Sequence, residues 1–134
     1  MILKGKCLCE KISFEAEDIP GVVFNCHCSR CRKSHGTAFA TQVFAQRKTL
    51  KFIKGEELLS EYDGESGGLR TFCSACGSRL MNYSKDTMDY LSICVSALDP
   101  EFNLKPTADC FVDDKFSWTK IDEDIQQFAA YPPM

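Results

Sequence analysis

Asn25-Cys26-His27-Cys28-Ser29-Arg30-Cys31-Arg32-Lys33-Ser34-His35-Gly36 gathers three thiols within a few positions, with no fourth cysteine nearby. A closed structural zinc site takes four protein ligands, whereas a catalytic one takes three and leaves a position for water or substrate. Two further pairs lie outside this stretch, Cys7-x-Cys9 and Cys73-x-x-Cys76, so seven of the nine cysteines fall into short clusters. Seven divides into four and three. The spacing predicts two zincs, one in a closed four-cysteine site and one, more labile, in an open three-cysteine site.

Geometry suggests how the clusters pair. At a Zn–S distance of ~2.3 Å the sulfurs of a tetrahedral site must converge to about 3.8 Å, so each cluster can supply neighbouring corners. Cys7 and Cys9 read as two positions apart on a strand, facing the same side. Cys73 and Cys76 bracket a tight turn in which Gly77 can take a left-handed conformation. Together the two pairs close a structural site that staples a long stretch of chain. Cys26, Cys28 and Cys31 remain as the candidate catalytic ligands. His27, His35 or Cys110 could fill the fourth corner and make that site inert. His27 would face away from its flanking cysteines on extended backbone, a better hydrogen-bond partner than ligand. By spacing, His35 is the strongest closing candidate.

A disulfide framework is the rival explanation for so many cysteines. It fits a short secreted chain with an even cysteine count. The stretch MILKGKCLCEK has no apolar run behind a basic region, so no secretory leader is expected and the chain reads as cytoplasmic. Cysteines one or two residues apart also rarely bridge each other without strain. At 134 residues the chain is read as one zinc-binding domain spanning 1–134, with Asp63 to Gly68 as a loop. No apolar run approaches the ~20 residues of a membrane span. The formal charge of −3 falls to about −6 once seven thiolates and two zincs are counted. A chain this acidic lacks the footprint of a nucleic-acid binder. Its one cationic cluster, Arg30, Arg32 and Lys33, lies inside the three-cysteine stretch.

Alternation of Ile12, Phe14 and Ala16 with Lys11, Ser13 and Glu15 predicts a half-buried strand. Further strands are expected at Val22 to Asn25, Ala38 to Ala45, Thr49 to Lys54, Leu58 to Tyr62, Leu69 to Phe72, Tyr90 to Val95 and Ala108 to Val112, with turns at Asp18 to Gly21 and elsewhere. Short helical turns are expected at Arg30 to Ser34 and near Asp122 to Gln127, the second capped by Asp122. The fold class is mainly β. Cys94 reads as a buried core thiol, Trp118 and the phenylalanines as core, and Tyr131-Pro-Pro-Met134 as a terminal extension.

Gly5-Lys-Cys-x-Cys9, Asn25-Cys-His-Cys-Ser-x-Cys-Arg-Lys33 with Gly36, and Phe72-Cys-x-x-Cys-Gly-Ser78 resemble the signature of the glutathione-dependent formaldehyde-activating enzyme family, also called the centromere protein V/GFA family. Cys110-Phe-Val-Asp-Asp-Lys-Phe-Ser-Trp118, followed by Ile121 and Phe128, is similar to the family's closing strand and tryptophan. The resemblance implies an Mss4-like fold of twisted β-sheets, a structural zinc at Cys7, Cys9, Cys73 and Cys76, and a catalytic zinc at Cys26, Cys28 and Cys31. It further implies a carbon-sulfur lyase reaction, the condensation of glutathione with formaldehyde to S-hydroxymethylglutathione. Asp109 is a departure, because many members carry histidine there. The partner expected is a small-molecule thiol such as glutathione, with no nucleic acid and no membrane. The competing expectation is a non-catalytic module whose zincs are both structural and which docks a protein. His27, Ser29 and His35 are candidate oxyanion donors, and Arg30, Arg32 and Lys33 candidate partners for glutathione carboxylates.

Overall fold

The computed structural model describes residues 1–65 and 68–133. Ser66 and Gly67, within the loop expected from Asp63 to Gly68, and Met134 of the tail lie outside them. The expected mainly β architecture is the observed one, a twisted mixed sheet. The chain forms two compact units, Met1–Pro20 with Val43–Asn103 and Gly21–Gln42 with Leu104–Met134.

In the first unit, β1 (Ile2–Lys6) pairs antiparallel with the leading half of β2 (Ser13–Cys26), from Ile2 opposite Glu17 to Lys6 opposite Ser13. The remaining edge of β2 takes β4 (Lys51–Lys54), with Phe14 opposite Phe52. An antiparallel meander follows: β5 (Leu59–Asp63), β6 (Gly68–Cys73), β7 (Arg79–Ser84) and β8 (Tyr90–Cys94). Leu3, Ile12, Phe14, Leu80, Leu91 and Ile93 are fully buried, as period-two patterning requires of a strand with one face on the core. Cys94 is buried among them. Thr71 is equally buried, and its hydroxyl donates to the Met81 carbonyl (2.8 Å) and accepts from the Met81 amide (3.2 Å). A buried hydroxyl without such partners would be costly.

The second unit holds the trailing half of β2, helix α1 (Ser29–His35) and the start of β3 (Ala40–Gln46). β9 (Ala108–Cys110) runs parallel to β2, with Phe24 opposite Ala108 and Cys26 opposite Cys110. β10 (Gln126–Phe128) runs parallel to β9.

Three local expectations are overturned. The turn expected at Asp18 to Gly21 is strand, because Asp18 is buried and pairs with the N-terminal ammonium (3.1 Å), while Gly21 absorbs the irregularity at φ 77°. The helix expected near Asp122 is a turn followed by β10: the Asp122 carboxylate accepts from the Asp124 amide, and Gln126 to Phe128 then pair with β9. Trp118 is not core. It is 69% exposed.

Candidate metal centres

β1 ends at Lys6, so Cys7 and Cys9 sit on the tight connection to β2 rather than on a strand. The Glu10 amide donates to the Cys7 carbonyl (3.1 Å), and Glu10 adopts φ 64° to close the turn. The reason is topological: the hairpin must reverse there, and a knuckle can aim two sulfurs at one point as well as a strand can. Cys73 closes β6, and the Gly77 amide returns to the Cys73 carbonyl (2.7 Å) with Gly77 at φ 79°, the left-handed turn its sequence anticipated. The Leu8 amide donates to Ser78 Oγ (2.9 Å), which latches one knuckle to the other. Cys7 Sγ lies 3.6 Å from Cys9 Sγ, and Cys9 Sγ lies 3.9 Å from Cys73 Sγ. All four sulfurs fall within 4.8 Å of one another. These separations match the edge of a tetrahedral thiolate site.

The electrostatics of this cluster suit a cation. Side-chain and backbone hydrogen bonds from Ser78 pull the Cys76 thiol down to about 5. Cys9 moves the other way, up to about 11: the Lys11 backbone hydrogen bond pulls it down, but desolvation and the neighbouring Cys7, Cys76 and Cys73 outweigh it. Four thiolates this close cannot all ionise unaided, and a bound cation removes the conflict. The donor set therefore fits a metal ion.

In the second unit, Cys26 ends β2, Cys28 caps α1 and Cys31 lies in its first turn. Cys28 Sγ accepts from the Cys31 amide (3.3 Å) and stands 3.4 Å from Cys26 Sγ. These three sulfurs also lie within 4.8 Å of one another. Neither His27, His35 nor Cys110 joins the group. His27 is fully buried, with Nε2 2.9 Å from Asp109 Oδ1 and its ring 5.0 Å from Phe39. That contact pairs His27 with the buried Asp109 carboxylate. His35 Nε2 faces the Gln42 side-chain nitrogen at 3.1 Å. Cys110 Sγ donates to the Asn25 carbonyl (3.5 Å). It lies opposite Cys26 across the β2–β9 pair, and this neighbour is the leading reason that the Cys26 thiol is held above its ordinary value.

Two aromatic features escaped the sequence reading. Tyr131 packs edge-on against Phe111 with centroids 4.9 Å apart, and Pro132 beside it is buried, so the tail is docked rather than extended. Although Tyr131 as a whole is exposed, partial desolvation of its hydroxyl, then the charge of Cys26, Cys31, Cys28 and Cys110, raises the phenol to about 12. Arg32 donates Nε–H to the His27 carbonyl (3.1 Å) and lays its guanidinium 4.2 Å from the Phe116 ring centre. Phe116 in turn stacks on Trp118 at 5.0 Å and 9°. An exposed tryptophan carries no burial signal in sequence, and that is why it was misread.

Residues 2–114 match the family model described as glutathione-dependent formaldehyde-activating enzyme. The chain belongs to that family. A Halomonas elongata protein, named provisionally as a glutathione-dependent formaldehyde-activating enzyme, is 31% identical over 98% of this chain and 90% of its own length. A crystal structure of a Rhodobacter sphaeroides protein superposes with a TM-score of 0.61 at 26% identity, covering 77% of this chain and 97% of that one. The family match covers both cysteine groups and ends before Phe116, while the similarity to the Halomonas protein runs over nearly the whole chain. Among the described residues no helix is long and apolar enough to cross a membrane.

Proposed function

We propose that this family member is a zinc-dependent enzyme of the carbon-sulfur lyase type that joins a small thiol, glutathione, to formaldehyde. The observation that carries the reading is the asymmetry between the two groups: four sulfurs converge in one unit and three in the other. Cys7, Cys9, Cys73 and Cys76 would hold a structural zinc, and Cys26, Cys28 and Cys31 a catalytic one. Zinc at the three-cysteine group would favour the thiolate form of an incoming thiol, because coordination deprotonates thiols. A reducing cytoplasm is the setting in which such thiols persist.

The reaction forms one C–S bond. The sulfur lone pair attacks the carbonyl carbon, the C=O π pair moves to oxygen, and that oxygen takes a proton to give the hydroxymethyl thioether. What the chain must supply is a donor for the oxygen and a fixed orientation for the thiol. His27 is committed to Asp109 and buried, and His35 is oriented toward Gln42. Tyr131, packed on Phe111, the residue after Cys110, offers a phenolic hydroxyl as a further candidate donor.

Glutathione and S-methylglutathione separate this reading from a purely structural one. They share carboxylates and differ in the ionisable thiol. Glutathione at ~100 times its Kd should stabilise the native state by about 2.7 kcal/mol, seen as a rise in Tm, and S-methylglutathione should do so far less. Equal stabilisation by both would remove the metal from recognition and favour a non-catalytic module.

A further inference from the structure

After β9 and its 3-10 turn the chain forms an aromatic stack whose outer member is solvent-facing. Trp118 is 69% exposed and Phe116 38% exposed, although both are large apolar groups that ordinarily seek burial. The indole is nonetheless held in place. Phe116 lies nearly parallel to it, and the Arg32 guanidinium, anchored through Nε to the His27 carbonyl, packs on Phe116 in turn. This anchoring joins the stack to the knuckle of Cys26, Cys28 and Cys31, because His27 lies between two of those cysteines and Arg32 follows the third. With its Nε occupied and its guanidinium stacked, Arg32 fixes the shelf rather than standing free for a carboxylate. Arg30 and Lys33 on α1 remain exposed.

We infer that Trp118 is the shelf on which the peptide part of the thiol substrate rests, with Arg30 and Lys33 facing its carboxylates. The inference rests on the thiol-enzyme reading above and adds a determinant of which thiol is used. A flat indole, held on a ring that itself carries the Arg32 guanidinium, complements the planar amide groups of a tripeptide. A held aromatic ring also loses little freedom when a ligand stacks on it. Small thiols without a peptide have nothing to place there. Trp118 therefore sets specificity, and the three-cysteine group binds sulfur whatever the thiol carries.

The chain contains a single tryptophan, so its emission reports on this position alone. In full-length protein loaded with cobalt in place of zinc, sulfur-to-cobalt absorption reports thiol coordination independently. Glutathione should change both signals, and 2-mercaptoethanol only the cobalt absorption. Trp118→Ala should weaken glutathione binding about tenfold, which is about 1.4 kcal/mol, and leave 2-mercaptoethanol binding unchanged. Trp118→Phe should recover part of the loss. If Trp118→Ala binds glutathione as tightly as the parent while both thiols still perturb the cobalt spectrum, the shelf is wrong and the thiol-enzyme reading survives. If neither thiol perturbs the cobalt spectrum, both fail together. A ligand-free emission change that tracks protein concentration would place a second copy on the shelf and overturn the proposal.

Discussion

Tyr131 and the His27–Asp109 pair are the individual side chains, besides the cysteines, on which the proposed site can be tested. Tyr131→Phe deletes one hydroxyl and leaves the edge-on packing against Phe111. If the phenol is the oxyanion donor, kcat should fall about 100-fold while glutathione still raises the Tm as in the parent. An unchanged kcat would dismiss it from the mechanism. Asp109 and His27 are both about 1% exposed, and Gln127 reaches the second carboxylate oxygen at 3.3 Å. With Nε2 donating to Asp109, His27 Nδ1 has no partner, so the ring depends on Asp109 for its single hydrogen bond. Asp109→Ala should therefore destabilise the protein by about 1–3 kcal/mol in urea unfolding. Asp109→Asn, which can still accept, should lose clearly less. Equal losses would mean that packing rather than the hydrogen bond is what Asp109 provides.

At the level of elements, β2 is the strand that contributes to both units, and its conduct at Gly21 is decisive. Before this residue Phe14, Ala16 and Asp18 point inward, and after it Val23, Phe24 and Cys26 are buried. The even-numbered positions are buried on both sides, so the alternation keeps its phase across Gly21, where φ is +77°. Cys26 ends β2 as a buried residue in step with Phe14, Ala16 and Asp18. A Cβ at Gly21 meets nothing within 4 Å, so a substitution there is opposed by backbone strain alone. Gly21→Ala should lower stability by about 1–2 kcal/mol, and Gly21→Asn by less, because asparagine tolerates the left-handed region. Matched urea melts of the two variants test this. Helix α1 illustrates the same economy: Cys28 is both its cap, accepting from the Cys31 amide, and a member of the sulfur group.

For the whole molecule, the two groups should respond differently to metal loss. Cys7 and Cys73 are far apart in sequence, and their group joins two knuckles that the Leu8–Ser78 hydrogen bond also ties. A structural zinc supplies folding free energy on the order of 10 kcal/mol in small modules. Cys73→Ser should therefore abolish the cooperative thermal transition and leave the chain prone to aggregate. Cys28→Ser should retain a transition and about one zinc per chain by elemental analysis, against about two in the parent. Chelator should strip the three-cysteine group first. Equal loss of stability in both variants would make both sites structural.

The sequence by itself determined which seven cysteines form two groups, how they divide into four and three, and that the chain is built of short strands. Each of these follows from local spacing or period-two patterning, which a chain carries without knowing its partners. The short helix at Arg30 to Ser34 and the left-handed Gly77 were legible for the same reason. The strands β1, β7 and β10 were not read out, and the turn near Asp18 was misjudged, because pairing with a neighbour overrode weak local propensity. Only the tertiary structure decided that His35 turns toward Gln42, that His27 is buried against Asp109, and that Tyr131 packs edge-on against Phe111. These contacts join residues remote in sequence or depend on which way a side chain turns. Spacing along the chain contains neither, and the exposure of Trp118 is settled by the shape of the surface around it.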